Sequence, residues 1–203
     1  MADSSKPHDH ELPHDAPELS AQEAPDGAAD KPSAWKTELI EWIKALVFAV
    51  VVVMAFKLLI AEPIRVSGPS MNDTLFSNQI MLVYKTGYML GAPARQDVAV
   101  CHFPNSKDNY VKRIIGLPGE TLEIVAGRVL IDGAALEEPY IVHPLTQNFG
   151  PVTLGEGEYF LMGDNRADSM DCRSVGPLHE KALVGKSVAV FWPLSDTHII
   201  RHE

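Results

Sequence analysis

DVAVCHFPNSKDNYVKRIIGLPGETLEIVAGRVLIDG, residues 97–133, decides the fold. Four β-type runs follow one another in it: Asp97–Phe103, Asn109–Ile115, Thr121–Val125 and Arg128–Ile131. Each is rich in β-branched or aromatic residues and is bounded by Pro, Gly, Asn or Asp, which punctuate strands. Ala126-Gly127 and Asp132-Gly133 read as tight turns. The same texture continues on both sides, with Ile64–Ser67 and Gln79–Tyr84 upstream and Glu158–Met162, Lys186–Phe191 and His198–Arg201 downstream. No long helical period interrupts these runs, and no internal repeat organises them. The pattern predicts an all-β, barrel-like domain of short strands over residues 62–203.

Ahead of that domain the texture is different. LIEWIKALVFAVVVVMAFKLLIA, residues 39–61, has an unbroken apolar stretch over Ala45–Phe56. With its apolar flanks it reaches about 20 residues, enough for a hydrocarbon core of roughly 30 Å. Lys44 and Lys57 stand near the two ends, where their stems can reach the interface, and Trp42 suits the headgroup belt. A cleavable leader is the rival reading, but the segment starts far from residue 1 and Leu-Leu-Ile-Ala-Glu-Pro is a poor cleavage site. A buried core helix would keep a polar face, which this one lacks. Residues 35–61 are expected to be one transmembrane helix. Lys31, Lys36 and Lys44 before or in it lean the N-terminus to the cytoplasm. Residues 1–34 are rich in Pro, Ala and acids and poor in large apolar side chains, so they are expected to stay disordered. His8, His10 and His14 in that tail read as solvated rather than metal-binding.

The formal charge is −10. Acids outnumber bases both in the tail and in the β-domain, so neither presents the basic surface that tracks phosphates, and no nucleic-acid partner is expected. Two cysteines, Cys101 and Cys172, make neither a disulfide scaffold nor a metal-site spacing. They read as two thiols, with a single bridge as the alternative.

SGPSMNDTL, residues 67–75, places Ser70 behind a Gly-Pro turn soon after the apolar segment. A serine hydroxyl is a weak nucleophile and needs a base. His102, His143, His179, His198 and His202 sit in no triad-like motif. A lysine can serve if burial drives its pKa down from about 10.4. Lys112 in NYVKRIIGLPGE is the candidate. On a strand it shares a face with Tyr110 and Ile114, and Arg113 points the other way with Val111 and Ile115. One base can then be desolvated while its neighbour stays charged. A solvated Lys-Arg pair on an edge strand is the bland reading of the same residues. A third stretch, GDNRADSMDCRSVG, residues 163–176, gathers Asp164, Arg166, Asp168, Ser169, Asp171 and Arg173, either as a polar loop or as a salt-bridged platform.

Together these segments resemble the type I signal peptidases, the membrane-bound Ser-Lys endopeptidases. GPSMNDTL resembles that family's nucleophile segment, KRIIGLPGE its base segment, GDNRADSMDCR its third segment and RQDVAVCHFP a further strand motif, all behind LIEWIKALVFAVVVV as the anchor. The resemblance implies Ser70 as nucleophile, Lys112 as general base and Ser169 as the residue that orients the lysine. It implies an ion-pair network of Asp164, Arg113, Asp171 and Arg173. It implies a substrate strand laid against Ile64, Val66, Gly68, Pro69, Tyr110 and Val111, with small pockets for the leader's −1 and −3 side chains. It implies no cofactor and no metal, exported preproteins and the lipid bilayer as partners, and a catalytic domain on the outer side of the cell membrane. Gly68 stands where some members carry a hydroxyl as second oxyanion donor. Two rivals remain at this level: a membrane-tethered peptide-binding β-domain without activity, and a relative of the self-cleaving SOS-repressor domain. The loop Thr86–Pro93, with Tyr88-Met89-Leu90 at its tip, reads as a bilayer contact or as an inward lid.

Overall fold

The structure, a computed structural model, describes residues 34–202. It divides into two compact units at Ala45–Leu46, inside the first helix. That helix, α1 (Ala34–Leu59), is apolar all round over Ala45–Phe56, and Trp35–Lys57 has a mean hydropathy of 2.3 with none of its surface buried. Its 26 residues rise about 39 Å at 1.5 Å each, long and apolar enough to cross a bilayer. The expectation for the tail concerns residues that lie outside the described part.

The rest is built from antiparallel strands. The larger sheet has eight, in the order β1 (Ala61–Arg65), β2 (Ile80–Tyr84), β11 (Leu183–Trp192), β3 (Val98–Cys101), β4 (Tyr110–Gly116), β9 (Glu158–Met162) and β10 (Leu178–His179), with β12 (His198–Ile199) also paired to β11. The smaller has four, in the order β7 (Ala134–Ala135), β6 (Arg128–Ile131), β5 (Thr121–Val125) and β8 (Phe149–Thr153). Two single helical turns, α2 (Gly87–Leu90) and α3 (Cys172–Val175), interrupt the strands.

Burial follows the sequence pattern. β2 and β5 alternate between buried and half-buried positions, as strands with one face on the core do. β3 and most of β4 are buried on both faces, which is why Val98–Cys101 reads as a continuous apolar run. The larger sheet curls around one cluster: Val66, Met71, Leu75, Met81, Val83, Val98, Val100, Val190 and Ile200. The second cluster joins the two sheets through Ile114, Ile115, Leu122, Ile124, Val129, Phe160 and Leu161. β4 borders both clusters: Val111 packs on the first, and Ile114 and Ile115 lie in the second. The architecture is all-β and partly barrel-like behind one apolar helix.

Every strand expected from the sequence overlaps an observed one, although β1 starts and ends earlier than Ile64–Ser67. The bilayer-contact reading of the 86–93 loop is corrected at Tyr88, which packs inward against the core beneath the sheets. The side chains of Met89 and Leu90 lie outside the described part.

Candidate active site

The chain leaves β1 at Arg65, pairs once more with the β2 side through Val66, and turns at Gly68, whose φ of +85° favours a residue without Cβ. Pro69 follows, and the chain then coils through Ser70–Leu75, with the Asn72 N–H donating to the Pro69 carbonyl and the Leu75 N–H to that of Met71. Met71 and Leu75 are buried in the curled sheet's core and anchor this turn. Ser70 is held outward on it.

β4 supplies the partner. It pairs with β3 along Tyr110–Arg113, but with β9 only from Arg113 to Gly116. The β9-side edge of Tyr110–Lys112 is left open, and the serine turn lies there. Lys112 Nζ is 2.7 Å from Ser70 Oγ and donates to the Val111 carbonyl at 3.1 Å. The lysine is only 2 % exposed. Burial among apolar side chains lowers its pKa, outweighing Asp171 and Asp164, which pull the other way, and among the described residues no acid forms an ion pair with it. Among the described residues no histidine hydrogen-bonds Ser70. Nor does any acceptor take the Ser70 N–H, which is thus free to meet a substrate oxygen.

Arg113, on the opposite face, is fully bonded. It donates to both oxygens of Asp164 at 2.9 and 2.7 Å, to the carbonyls of Gln96 and Arg201, and to Thr74 Oγ1, with its guanidinium 3.9 Å from the centre of the Tyr140 ring. Thr74 in turn donates to Asp164 at 2.6 Å. The buried pair therefore ties the serine turn to the 163–171 loop. Asn165 adds two bonds, from its N–H to the Ser70 carbonyl and from Nδ2 to that of Pro69, both at 3.1 Å.

The loop is a platform of its own. Asp171 receives Arg173 through Nε and Nη2 at 2.8 Å and the Gly163 N–H at 3.1 Å. Burial works against its charge, but these donors hold its carboxyl below the usual range. Arg173 also donates to the Arg166 carbonyl and to Gln147, while Arg166 pairs with Glu138. Ser169 Oγ is buried beside Asp171 and Gly163, yet it makes no hydrogen bond of good geometry to Lys112 or to anything else described. The orienting contact expected of Ser169 is thus not formed in this state. A Cβ placed on Gly163 would lie 2.3 Å from Ser169 Oγ and 2.4 Å from the Ser70 carbonyl oxygen. Gly163→Ala is expected to displace both and to cost about 1–3 kcal/mol of stability, measurable by chemical denaturation.

The open β4 edge and the serine turn enclose a cleft of about 400 Å³, lined by Arg65–Gly68, Ser70, Met71 and Asp108–Lys112. Of the expected substrate contacts, Val66, Gly68, Tyr110 and Val111 line it. Ile64 does not, because it packs against the curled core, and the Pro69 carbonyl is taken by Asn72 and Asn165. Thr74, Asn165 and Glu138 were not legible as site residues, since only the tertiary fold brings them to Asp164, Ser70 and Arg166. Asn165 alone had a signal, its place in the GDNR run.

Both thiols are free and fully buried, and burial pushes each up to about 12. Cys172 Sγ also accepts the Leu161 N–H at 3.2 Å. Neither is expected to react with N-ethylmaleimide in the folded protein; rapid labelling by intact-mass analysis would contradict this burial.

A serine hydroxyl in reach of a desolvated lysine amine, beside an open strand edge, has the geometry for nucleophilic attack on a bound chain. The chain belongs to the family described as signal peptidase, peptidase S26, whose profile matches residues 39–192. It is 37 % identical over 178 residues to the signal peptidase I of Bacillus licheniformis, covering 82 % of this chain and 96 % of that one. It is 38 % identical over 168 residues to the signal peptidase I T of Bacillus subtilis (strain 168), covering 77 % and 87 %. A crystal structure of a signal peptidase I from Enterococcus faecalis V583 shares 32 % identity over 47 % of this chain and 97 % of that one, with a TM-score of 0.44.

Proposed function

We propose that the protein is a membrane-tethered endopeptidase that cuts leader peptides from exported preproteins, with Ser70 as nucleophile and Lys112 as general base. The observation that carries this reading is the 2.7 Å approach of Ser70 Oγ to the amine of a buried lysine. Family membership and the curated relatives support the reaction class.

The leader adds as a strand along the open edge of Tyr110–Lys112, with Val66 and Gly68 on its other side. Its scissile carbonyl then lies over Ser70. Neutral Lys112 keeps one N–H on the Val111 carbonyl and turns its lone pair to the Ser70 hydroxyl. As Oγ attacks, the proton passes to Nζ, and the Ser70 N–H donates to the developing oxyanion. The lysine ammonium returns that proton to the leaving amine. A water activated by the same amine then hydrolyses the acyl ester. A closing substrate would bring Ser169 Oγ onto Nζ, since catalytic hydrogen bonds often tighten only in the complex. Asp164, Arg113, Asp171 and Arg173 hold the platform. Residues 35–61 anchor residues 62–203 to the membrane, with the catalytic domain on the outer side.

The base works only when neutral, so cleavage rises with pH as Lys112 loses its proton. Burial lowers its pKa, which places the midpoint below the value of about 10.4 for a solvated lysine. A profile of kcat/KM against pH that climbs only above about 10 contradicts a buried base. The reading itself is tested by incubating the detergent-solubilised protein with a preprotein and mapping the cut by mass spectrometry. One cut at the end of the leader is expected; no cleavage, or cuts scattered through the mature part, would contradict it.

A further inference from the structure

The family profile stops at residue 192, yet the segment that follows is packed into the domain. β12 pairs with β11, and the Ile200 N–H continues that edge by donating to the Val188 carbonyl. Ile200 is 1 % exposed and lies in the same cluster as Met71 and Leu75, the two anchors of the serine turn. Arg201 offers its carbonyl to Arg113 Nη1 at 3.2 Å. Arg113 holds Asp164, and Asp164 holds Thr74 on that same turn. His202 makes the third tie. β11 pairs with β3 only as far as Ala99, so the Val98 N–H lies beyond the ladder, and His202 Nδ1 accepts it at 3.2 Å. Val98 is itself paired with Arg113 across β3 and β4. Residues 198–202 thus strap the elements that carry the serine turn, and none of them lines the leader cleft.

With Nδ1 as acceptor, the ring proton of His202 sits on Nε2. Three charged side chains face the ring: Asp97 from the turn into β3, Lys186 from β11 and Arg113 from β4. Asp97 Oδ1 stands 3.7 Å from Nδ1 and takes Lys186 Nζ at 2.5 Å. Its other oxygen takes the Ala94 N–H and the Tyr88 hydroxyl. The Ser187 backbone is the ring's remaining polar neighbour. A proton on Nδ1 turns that atom from an acceptor into a donor. It must then leave the Val98 N–H, and the Asp97 carboxylate is the acceptor beside it. Burial, with Lys186 and Arg113, lowers the pKa of the ring against the pull of Asp97, so at neutral pH the ring is uncharged and the bond to Val98 stands.

We propose that His202 is a positioning residue for the reaction: uncharged, it pins residues 198–202 to β3 and so keeps the serine turn set against Lys112, and protonated, it releases them. The inference rests on the leader-cleavage reading above. It gives the protein an acid-sensitive catch separate from the titration of Lys112.

The test assays the full-length protein in detergent with a soluble peptide that spans the cut. His202→Ala is expected to lower kcat about tenfold or more, the scale of a small misplacement passed to the reacting groups from a distance. KM should stay unchanged, because the leader cleft is untouched. His202→Asn keeps an acceptor for the Val98 N–H and is expected to regain most of the lost rate. In wild type, kcat/KM should fall with acid more steeply than about one decade per pH unit, because two protons matter; in His202→Asn the slope should be about one decade, because only Lys112 titrates. Wild-type kcat in His202→Ala, no regained rate in His202→Asn, or equal acid slopes in wild type and His202→Asn would overturn the proposal. Hydrogen exchange tests the catch without catalysis and without His202→Ala. After correction for the intrinsic rate, protection of the Val98 amide is expected to collapse between about pH 7 and about pH 5 in wild type and to persist in His202→Asn. Protection that persists in both, or is lost in both, would refute the catch. A wild type that cuts no peptide would strike the leader-cleavage reading instead, and the exchange result would still decide whether the catch exists.

Discussion

Ser70→Ala and Lys112→Met should each lower the rate of preprotein cleavage by on the order of 10⁴- to 10⁶-fold, the range found when members of a nucleophile–base unit are removed. Removing both should be no worse than removing one, because neither does chemistry without the other. The two variants differ in stability. Lys112 is buried and its pKa is lowered by desolvation. Below its folded pKa the fold must bury a charge, and between that and the unfolded value it must give up a proton that the unfolded chain keeps. That penalty is lifted as pH climbs towards the unfolded value of about 10.4. Lys112→Met should therefore melt higher than wild type at neutral pH, with the gap shrinking to nothing near pH 10. Ser70→Ala should leave the melting temperature nearly unchanged. Thermal melts across pH measure this directly, and a Lys112→Met protein that is less stable at pH 7 would mean that the lysine is a structural cation.

The second large effect belongs to the Arg113–Asp164 pair, which is 2 % and 0 % exposed at its side chains. Truncating one partner of such a pair leaves an uncompensated buried charge and costs about 3–5 kcal/mol. Against a typical stability of about 5–15 kcal/mol, Asp164→Ala or Arg113→Ala should bring the catalytic domain close to unfolding. The double replacement Arg113→Met with Asp164→Leu removes both charges and should cost less than either single change. Its activity should still fall, because Thr74 then loses its acceptor and the serine turn loses its tie to the loop. Urea titration and cleavage assays on the three variants separate the two roles. Equal stability of all three would show that the pair does not organise the fold.

The strands were readable where a period or an apolar run lasted four residues or more. β8 was missed because Gly150-Pro151 breaks FGPVT, and Pro is tolerated only where a ladder bond can be spared. β7 and β10 have two residues each, too few to show any period. On β4 the alternation put Lys112 and Arg113 on opposite faces, and the structure has them so. It could not say that both faces are buried, because that depends on β9 and on the serine turn arriving from far along the chain. The same limit hid Thr74 and Asn165. Their residue types are ordinary for a turn, and their partners at Asp164, Pro69 and Ser70 are fixed only by the folded sheet. Glu138 reads as a loop acid until Arg166 is brought onto it. At Tyr88 the inward of the two readings holds, and the sequence could not choose it, since an aromatic in a short loop reads as a surface contact when the core beneath it is unseen.

A serine nucleophile at residue 70 must carry the leader side of the substrate as an acyl ester during turnover. The decisive measurement mixes the full-length protein with a preprotein, quenches in acid within milliseconds to seconds, and analyses the digested enzyme by mass spectrometry. A leader-sized acyl group on the peptide that contains Ser70, absent from Ser70→Ala and from Lys112→Met, is the predicted result. Cleavage that proceeds at full rate in Ser70→Ala, or an acyl group carried by another residue, would contradict it.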